Sequence, residues 1–230
     1  MAVEYTETFE QILNDTVPQT PGIIRSVALR ELRLACREFF EKSYAWVVKV
    51  EDITAPAGND VIQIDDGDAN TEVIGILDVS FNGRSVPPGP HRPAKFGQDP
   101  AFTTSDVPKH YWVNSNPDEF GFFPFLENVD GGNANPVTDA LVALIPAFDA
   151  TDLPRQITLK YYDAIVMGYL ARVYNHPNKP YSAPLLAQQQ RTAFLKAIGF
   201  YAAQRKQGYN SSQAWCYPRG WGVQRLGGNG

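Results

Sequence analysis

Cysteine is nearly absent from this chain: Cys36 and Cys216 are far apart in 230 residues and belong to no CxxC or Cys/His grouping. A disulfide framework and a structural zinc site are thereby excluded. Histidine is as scarce. His91, His110 and His176 each stand beside a proline or an aromatic residue, with no HxH or HExxH spacing, so none reads as a metal ligand or general base. There is no GxSxG elbow, no GxxxxGK[ST] phosphate loop and no GxGxxG turn. Apolar runs fall short of the roughly 18–20 residues that a membrane span needs. Met1–Asp15 carries Glu4, Glu7, Glu10 and Asp15 with no basic residue, unlike the start of a secretory signal. The reading is of a soluble protein made and kept inside a cell, with no membrane partner.

Charge is also thin, at 20% of residues against 43% hydrophobic, which supports a folded core rather than a disordered chain. At this length there is room for one large domain or a scaffold carrying one insertion. The 18 prolines and 18 glycines, with 13 Phe, 11 Tyr and 4 Trp, point to long connections and half-buried aromatic surfaces. The net charge of −5 hides a sharp division. Residues 1–46 carry 5 basic and 7 acidic groups, residues 47–154 carry 5 and 17, and residues 155–230 carry 10 and 1. Such asymmetry marks either a partner or an acidic block folded back on a basic one within the same subunit.

From Thr20 to Ser43 the pattern is helical. Thr20 is placed to cap and Pro21 to sit in the first turn. Ile24, Ala28, Leu32, Ala35 and Phe39 share one face, with Leu29, Cys36 and Phe40 beside them, so that face is core. The opposite stripe holds Ser26, Arg30, Arg33, Arg37 and Glu41. It reads first as a solvated charged face, and second as a contact to phosphate or to a neighbour's carboxylates.

After Trp46 the texture turns β-like. Val47–Ile53, Val61–Ile64, Val73–Phe81, Tyr111–Val113, Phe120–Phe125 and Leu141–Ile145 are short β-branched or aromatic runs between Gly, Pro, Asn and Asp clusters. Asn82-Gly83 signals a two-residue hairpin turn. From Val86 through Pro108 six prolines and little periodicity indicate a long excursion from the sheet. Asp65, Asp66 and Asp68 cluster as calcium loops do, but their spacing does not match an EF-hand, and a solvated acidic turn is the simpler reading.

Helical periodicity returns after Pro154 with Tyr162, Ile165, Val166, Tyr169, Leu170 and Val173, and stops at the prolines of 175–180. A third helix is capped by Ser182 and runs from Pro184 through Leu186, Phe194, Ala197, Ile198 and Tyr201. Its short link makes it the antiparallel neighbour of the second. The fold expected is α+β: a bundle of about three main helices (1–46 and 155–207), a β-rich insertion (47–154) and an extended C-terminal tail (208–230). That tail holds Tyr209, Trp215, Tyr217, Arg219, Trp221 and Arg225 with no acidic residue. Trp, Tyr and Arg dominate binding hot spots, so docking into another chain is expected, with packing on its own subunit as the alternative.

Several stretches together resemble the head-to-tail connector (adaptor, or head completion) proteins of tailed bacteriophages. They are Ala28–Phe40 followed closely by Trp46, Ile76–Arg84, Tyr162–Ile165 with Gly168, Leu170 and Ala171, and Asn178–Ser182. The resemblance spans about residues 22–206 and lies in the order of several weak motifs. It implies a structural protein with no catalytic site and no cofactor, made in the host cytoplasm and incorporated in the neck of the virion. It further implies a ring of twelve subunits between the portal protein and a tail or nozzle protein. DNA would pass through the ring without sequence-specific binding, and an acidic middle block would keep it from adhering. Family C-terminal segments commonly reach into the portal, and Tyr209–Gly230, at ~3.3 Å per residue, would reach roughly 70 Å if extended, to dock either on the portal or around a neighbouring subunit. Possible subunit-interface residues are Arg30, Arg33, Arg37, Asp65, Asp66 and Asp68, since head-to-tail rings need complementary patches.

Two other readings remain open. A ligand- or carbohydrate-binding β module of a virion or tail structure would use Trp112, Phe120, Phe122, Phe123 and Phe125 as a stacking platform, although core packing explains them as well. A hydrolase would need a nucleophile with a base, or paired carboxylates, that meet only in the fold.

Overall fold

The computed structural model describes residues 6–54, 61–64, 67–89, 108–123 and 137–206. Among them are four α-helices and three antiparallel sheets, with a β-rich stretch between the second and third helices.

The chain opens with β1 (Thr6–Thr8) and α1 (Phe9–Thr16), a stretch the sequence reading leaves unassigned. A reciprocal cap starts the helix. Thr8 donates its backbone N–H to Gln11 Oε1 at 2.8 Å, and Gln11 returns its own N–H to Thr8 Oγ1 at 3.3 Å. Phe9, Ile12 and Leu13 then turn one face of α1 into the core.

The next helix, α2 (Arg25–Ser43), begins later than Thr20. Thr20 does not cap it. Its side chain is buried, with the hydroxyl 3.3 Å from that of Tyr169, and Pro21-Gly22 form a turn in which Gly22 takes φ +81. A tertiary partner has thus captured the polar group that local sequence offers as a cap, and Ile24 enters the helix with no side-chain cap bond. The inward face is as the spacing predicts: Ala28, Leu32, Ala35, Cys36, Phe39 and Phe40 are buried. Ile24, assigned to that face, lies before the helix and is exposed. Burial pushes the Cys36 thiol well above its ordinary range, which keeps it uncharged and unreactive. Tyr44 ends α2 in the left-handed conformation, its N–H donating to Phe40 O.

The strands are β2 (Val47–Thr54), β3 (Ile62–Gln63), β4 (Thr71–Phe81), β5 (Arg84–Val86), β6 (His110–Val113), β7 (Glu119–Phe123), β8 (Val137–Pro146) and β9 (Asp152–Pro154). β8 lies inside the largest sheet, whose order is β2-β8-β4-β5. Asn82 and Gly83, both at positive φ (49° and 73°), join β4 to β5 with Phe81 opposite Arg84, the two-residue hairpin expected. A second sheet has the order β3-β7-β6, and Phe81 of the first meets Phe122 of the second edge-on at 5.7 Å. The third pairs β1 with β9, tying the start of the chain to the strand that leads into the next helix.

That helix, α3 (Arg155–Val173), and α4 (Pro184–Lys206) run antiparallel. Tyr201 donates to Lys160 O, Phe194 lies against Gly168, and Ala183 N–H reaches back to Tyr174 O. Ile165, Tyr169, Leu170 and Val173 are buried, while Tyr162 and Val166 sit at the core's margin. Tyr161, absent from the predicted stripe, is wholly buried at the centre of an aromatic cluster. Its ring lies 5.4 Å from Phe39, 5.6 Å from Phe40 and 4.9 Å from Tyr201, and its hydroxyl donates to Ala45 O. On α4 the inward position falls at Ala187 rather than Leu186, in register with Phe194 and Ile198.

Candidate functional site

Along α2 the three stripe arginines meet different fates. Arg30 is largely exposed and pairs with its neighbour Glu31 at 2.9 Å. Arg33 is partly buried, its guanidinium 5.8 Å from the centre of the Phe9 ring and its Nε buried without a hydrogen-bond partner. Arg37, with only 13% of its side chain exposed, grips Glu72 of β4 through both Nη atoms at 3.0 and 2.8 Å. It also donates to Pro146 O at 2.6 Å. The solvated face suggested by the spacing is therefore, at Arg37, an internal clamp from helix to sheet, and at Arg33 a lid over α1.

Asp68 caps a turn before β4, its carboxylate accepting the Asn70 N–H at 2.9 Å and its carbonyl the Thr71 N–H. Asp65 and Asp66 lie outside the described residues. So do Tyr209, Trp215, Tyr217, Arg219, Trp221 and Arg225, and most of the Val86–Pro108 excursion. Among the described residues no group of three or more His, Cys, Asp or Glu is placed to hold a metal ion. No helix among them is long and apolar enough to cross a membrane.

Sequence reasoning missed a charged seam where the three long helices meet. Glu38 of α2 receives Arg191 of α4 in a bidentate pair at 2.6 and 2.8 Å, Arg172 of α3 at 2.8 Å and Lys42 at 2.6 Å. The Arg191 hydrogen bonds above all hold its carboxyl down to about 2, against the opposing pull of burial. Glu31, one step of seven residues back, is buried and faces Arg30, Arg172 at 3.7 Å and His176 Nε2 at 3.7 Å. The signal was present: Ala28, Glu31, Ala35, Glu38 and Lys42 recur at three, four, three and four residues, which sets two glutamates in a stripe shared with buried alanines. A carboxylate there needs a cation from another element.

Among the described residues two clefts are open. One, of about 600 Å³, is lined by Ile76, Pro88, Gly89, Tyr111, Val113 and Asn114 where the two larger sheets meet. The other, of about 400 Å³, borders the seam, and of its charged walls Glu38 accepts from Arg172 and Arg191, while Arg172 Nε is buried without a hydrogen-bond partner. Trp112, Phe120 and Phe122 are buried, so their rings are not available for stacking on a ligand.

The outer side of α4 is a different surface. Leu185 is 78% exposed and Phe200 60%, with Leu186 and Leu195 also exposed, and Leu159 of α3 is 65% exposed. Leu159 precedes Lys160, whose carbonyl receives the Tyr201 hydroxyl. Leu186, Ala193 and Phe200 follow at intervals of seven residues, and Leu185, Gln189, Lys196 and Ala203 form the adjoining line. Compared with known proteins, the chain matches no family model and no curated protein sequence.

Proposed function

We propose that this chain is a structural adaptor of a tailed phage. It assembles as a ring that joins the portal to the tail and continues the DNA channel. The observation that carries the reading is the packing of α2, α3 and α4 on one another with a β-rich stretch between α2 and α3 in the chain, which fits the organisation that the connector resemblance implies. In this reading residues 1–46 and 155–207 are the bundle, 47–154 the insertion and 208–230 a docking tail. Twelve copies would share the ring. Tyr209, Trp215, Tyr217, Arg219, Trp221 and Arg225 would insert between portal subunits, and DNA would pass without sequence-specific contact.

The internal use of Arg37 and of the Glu38 seam supports a rigid part rather than a catalyst, since both spend their charges on holding helices and sheet together. Electron microscopy of the chain mixed with its cognate portal ring tests the reading. A layer of density added coaxially below the portal, with an unbroken channel, is expected; portal rings that remain bare would overturn it. The cleft at Ile76 and Tyr111 favours the second reading, a ligand-binding β module, for which a glycan array on the isolated chain is the corresponding test.

A further inference from the structure

Helix α4 has two faces with different occupants. Ala187, Phe194 and Ile198 bury one against α2 and α3, whereas the outer side exposes Leu185, Leu186 and Phe200 among Gln189, Thr192 and Lys196. Exposed leucine and phenylalanine grouped on one helix mark a surface that is covered in the working assembly. We propose that a second copy of this chain covers the outer face of α4, laying against it the acidic strands β2, β4, β7 and β8 described between residues 47 and 154. The proposal rests on the ring reading and names the ring's lateral contact.

Charge selects this occupant. α4 carries Arg191, Lys196, Arg205 and Lys206 and no acidic residue. The described residues between 47 and 154 carry ten acidic side chains against three basic ones. A basic apolar helix and an acidic sheet region on one molecule are the complementary halves of a head-to-tail contact, and repeated rotation closes such a contact into a ring. An α4-on-α4 dimer would instead face like charges. The chain's own C-terminal segment is disfavoured on the same ground: residues 207–230 hold Arg219 and Arg225 and no acid.

Nucleic acid fits less well. Arg191 is committed to Glu38, and the Arg205 guanidinium lies 5.5 Å from the centre of the Tyr44 ring. That leaves Lys196 and Lys206, and a phosphate backbone needs several cations at once and gains nothing from leucine. A protein surface uses both the apolar area and these two charges.

The test compares the full chain with two variants, Lys196→Glu and the triple Leu185→Gln/Lys196→Glu/Phe200→Gln. All three positions are exposed or partly so in the monomer, and far-UV circular dichroism and melting temperature serve as the check on folding. Sedimentation velocity over a concentration series, and occupancy of the cognate portal ring by native mass spectrometry, are the readouts. The expected result is self-association weakened roughly tenfold by Lys196→Glu and abolished by the triple change. On the portal, the triple variant should give scattered partial occupancies where the unmodified chain fills the ring as a set.

A folded triple variant that self-associates and fills the ring like the unmodified chain overturns the proposal and leaves the adaptor reading standing. An unmodified chain that ignores the portal sinks the adaptor reading, and the sedimentation series then decides the α4 contact alone: loss of self-association in the variants supports it, monomers throughout overturn it. Faster hydrogen exchange in α4 after cutting the chain at Lys206 would give the face to the C-terminal segment. Retention of a short DNA duplex by the full chain, lost in Lys196→Glu, would give it to nucleic acid. Either result overturns the proposal.

Discussion

The guanidinium of Arg37 lies over the ring of Phe148, 3.8 Å from its centre, while its two Nη atoms hold the carboxylate of Glu72. One side chain thus joins α2 to β4 and to the turn after β8. The clamp requires a planar fork. Arg37→Ala should cost roughly 2 kcal/mol, the value of hydrogen bonds to a charged group. Arg37→Lys should recover less than half of that, because a point charge neither bridges a carboxylate nor stacks flat on a ring. Urea unfolding of the two variants checks this; equal stability of Lys and Ala variants with the unmodified chain would show that the clamp adds nothing.

Acid should act through Glu38. Its folded value of about 2 lies below the ordinary 4.5, so its contribution is fully present above about pH 4.5 and is lost as pH falls from there toward 2. Glu38→Gln should flatten the fall in melting temperature across that window. At neutral pH it should cost roughly 1.5–3 kcal/mol, the value of hydrogen bonds to a charged group in a seam whose Arg191 is 40% exposed. Melting curves between pH 2 and 7 on both proteins provide the comparison, and parallel acid limbs would remove Glu38 from the account.

Two glycines in the antiparallel helices should respond in opposite directions. A Cβ on Gly168 would meet the buried Phe194 ring at 2.7 Å, whereas one on Gly199 meets nothing within 4 Å. Gly168→Ala should therefore destabilise by about 1–2 kcal/mol, overpacking outweighing the helix-propensity gain. Gly199→Ala should stabilise by up to about 1 kcal/mol. Thermal melts of the pair decide; stabilisation by both would mean that α3 and α4 are not held as close as the structure has them.

The proposed charge complementarity between subunits would have a direct consequence in solution. If the basic helices of one copy meet the acidic region of the next, assembly should weaken steadily as salt shortens the screening length from about 10 Å at 0.1 M to about 3 Å at 1 M. Sedimentation across that range measures it. Assembly indifferent to salt would leave the exposed leucines and Phe200 as the sole source of the contact.

What could be read in the sequence followed local pattern, and what could not followed tertiary competition. The hairpin at Asn82-Gly83, the strands from Val47 and Val73, and the inward face of α2 each obey a short-range rule that the fold keeps. Thr20 obeyed its local rule only until Tyr169 offered a buried partner. Tyr161 and Ala187 sit one residue from the positions assigned, because packing of three helices and a sheet fixes the inward direction more finely than periodicity does. The cap of Thr8 and Gln11, and the Glu31/Glu38 stripe, were legible in spacing but carried no apolar signal to draw attention. The Arg37 clamp was not legible at all, since Glu72 and Phe148 are remote in sequence.

The most direct measurement is the mass, by native mass spectrometry, of the chain alone and mixed with its cognate portal ring, repeated with a chain ending at Gly208. The expected result is a fixed high multiple of the full chain on the portal and a loss of that complex without Tyr209–Gly230. A full chain that stays free of the portal under conditions where the portal ring is intact would contradict the account.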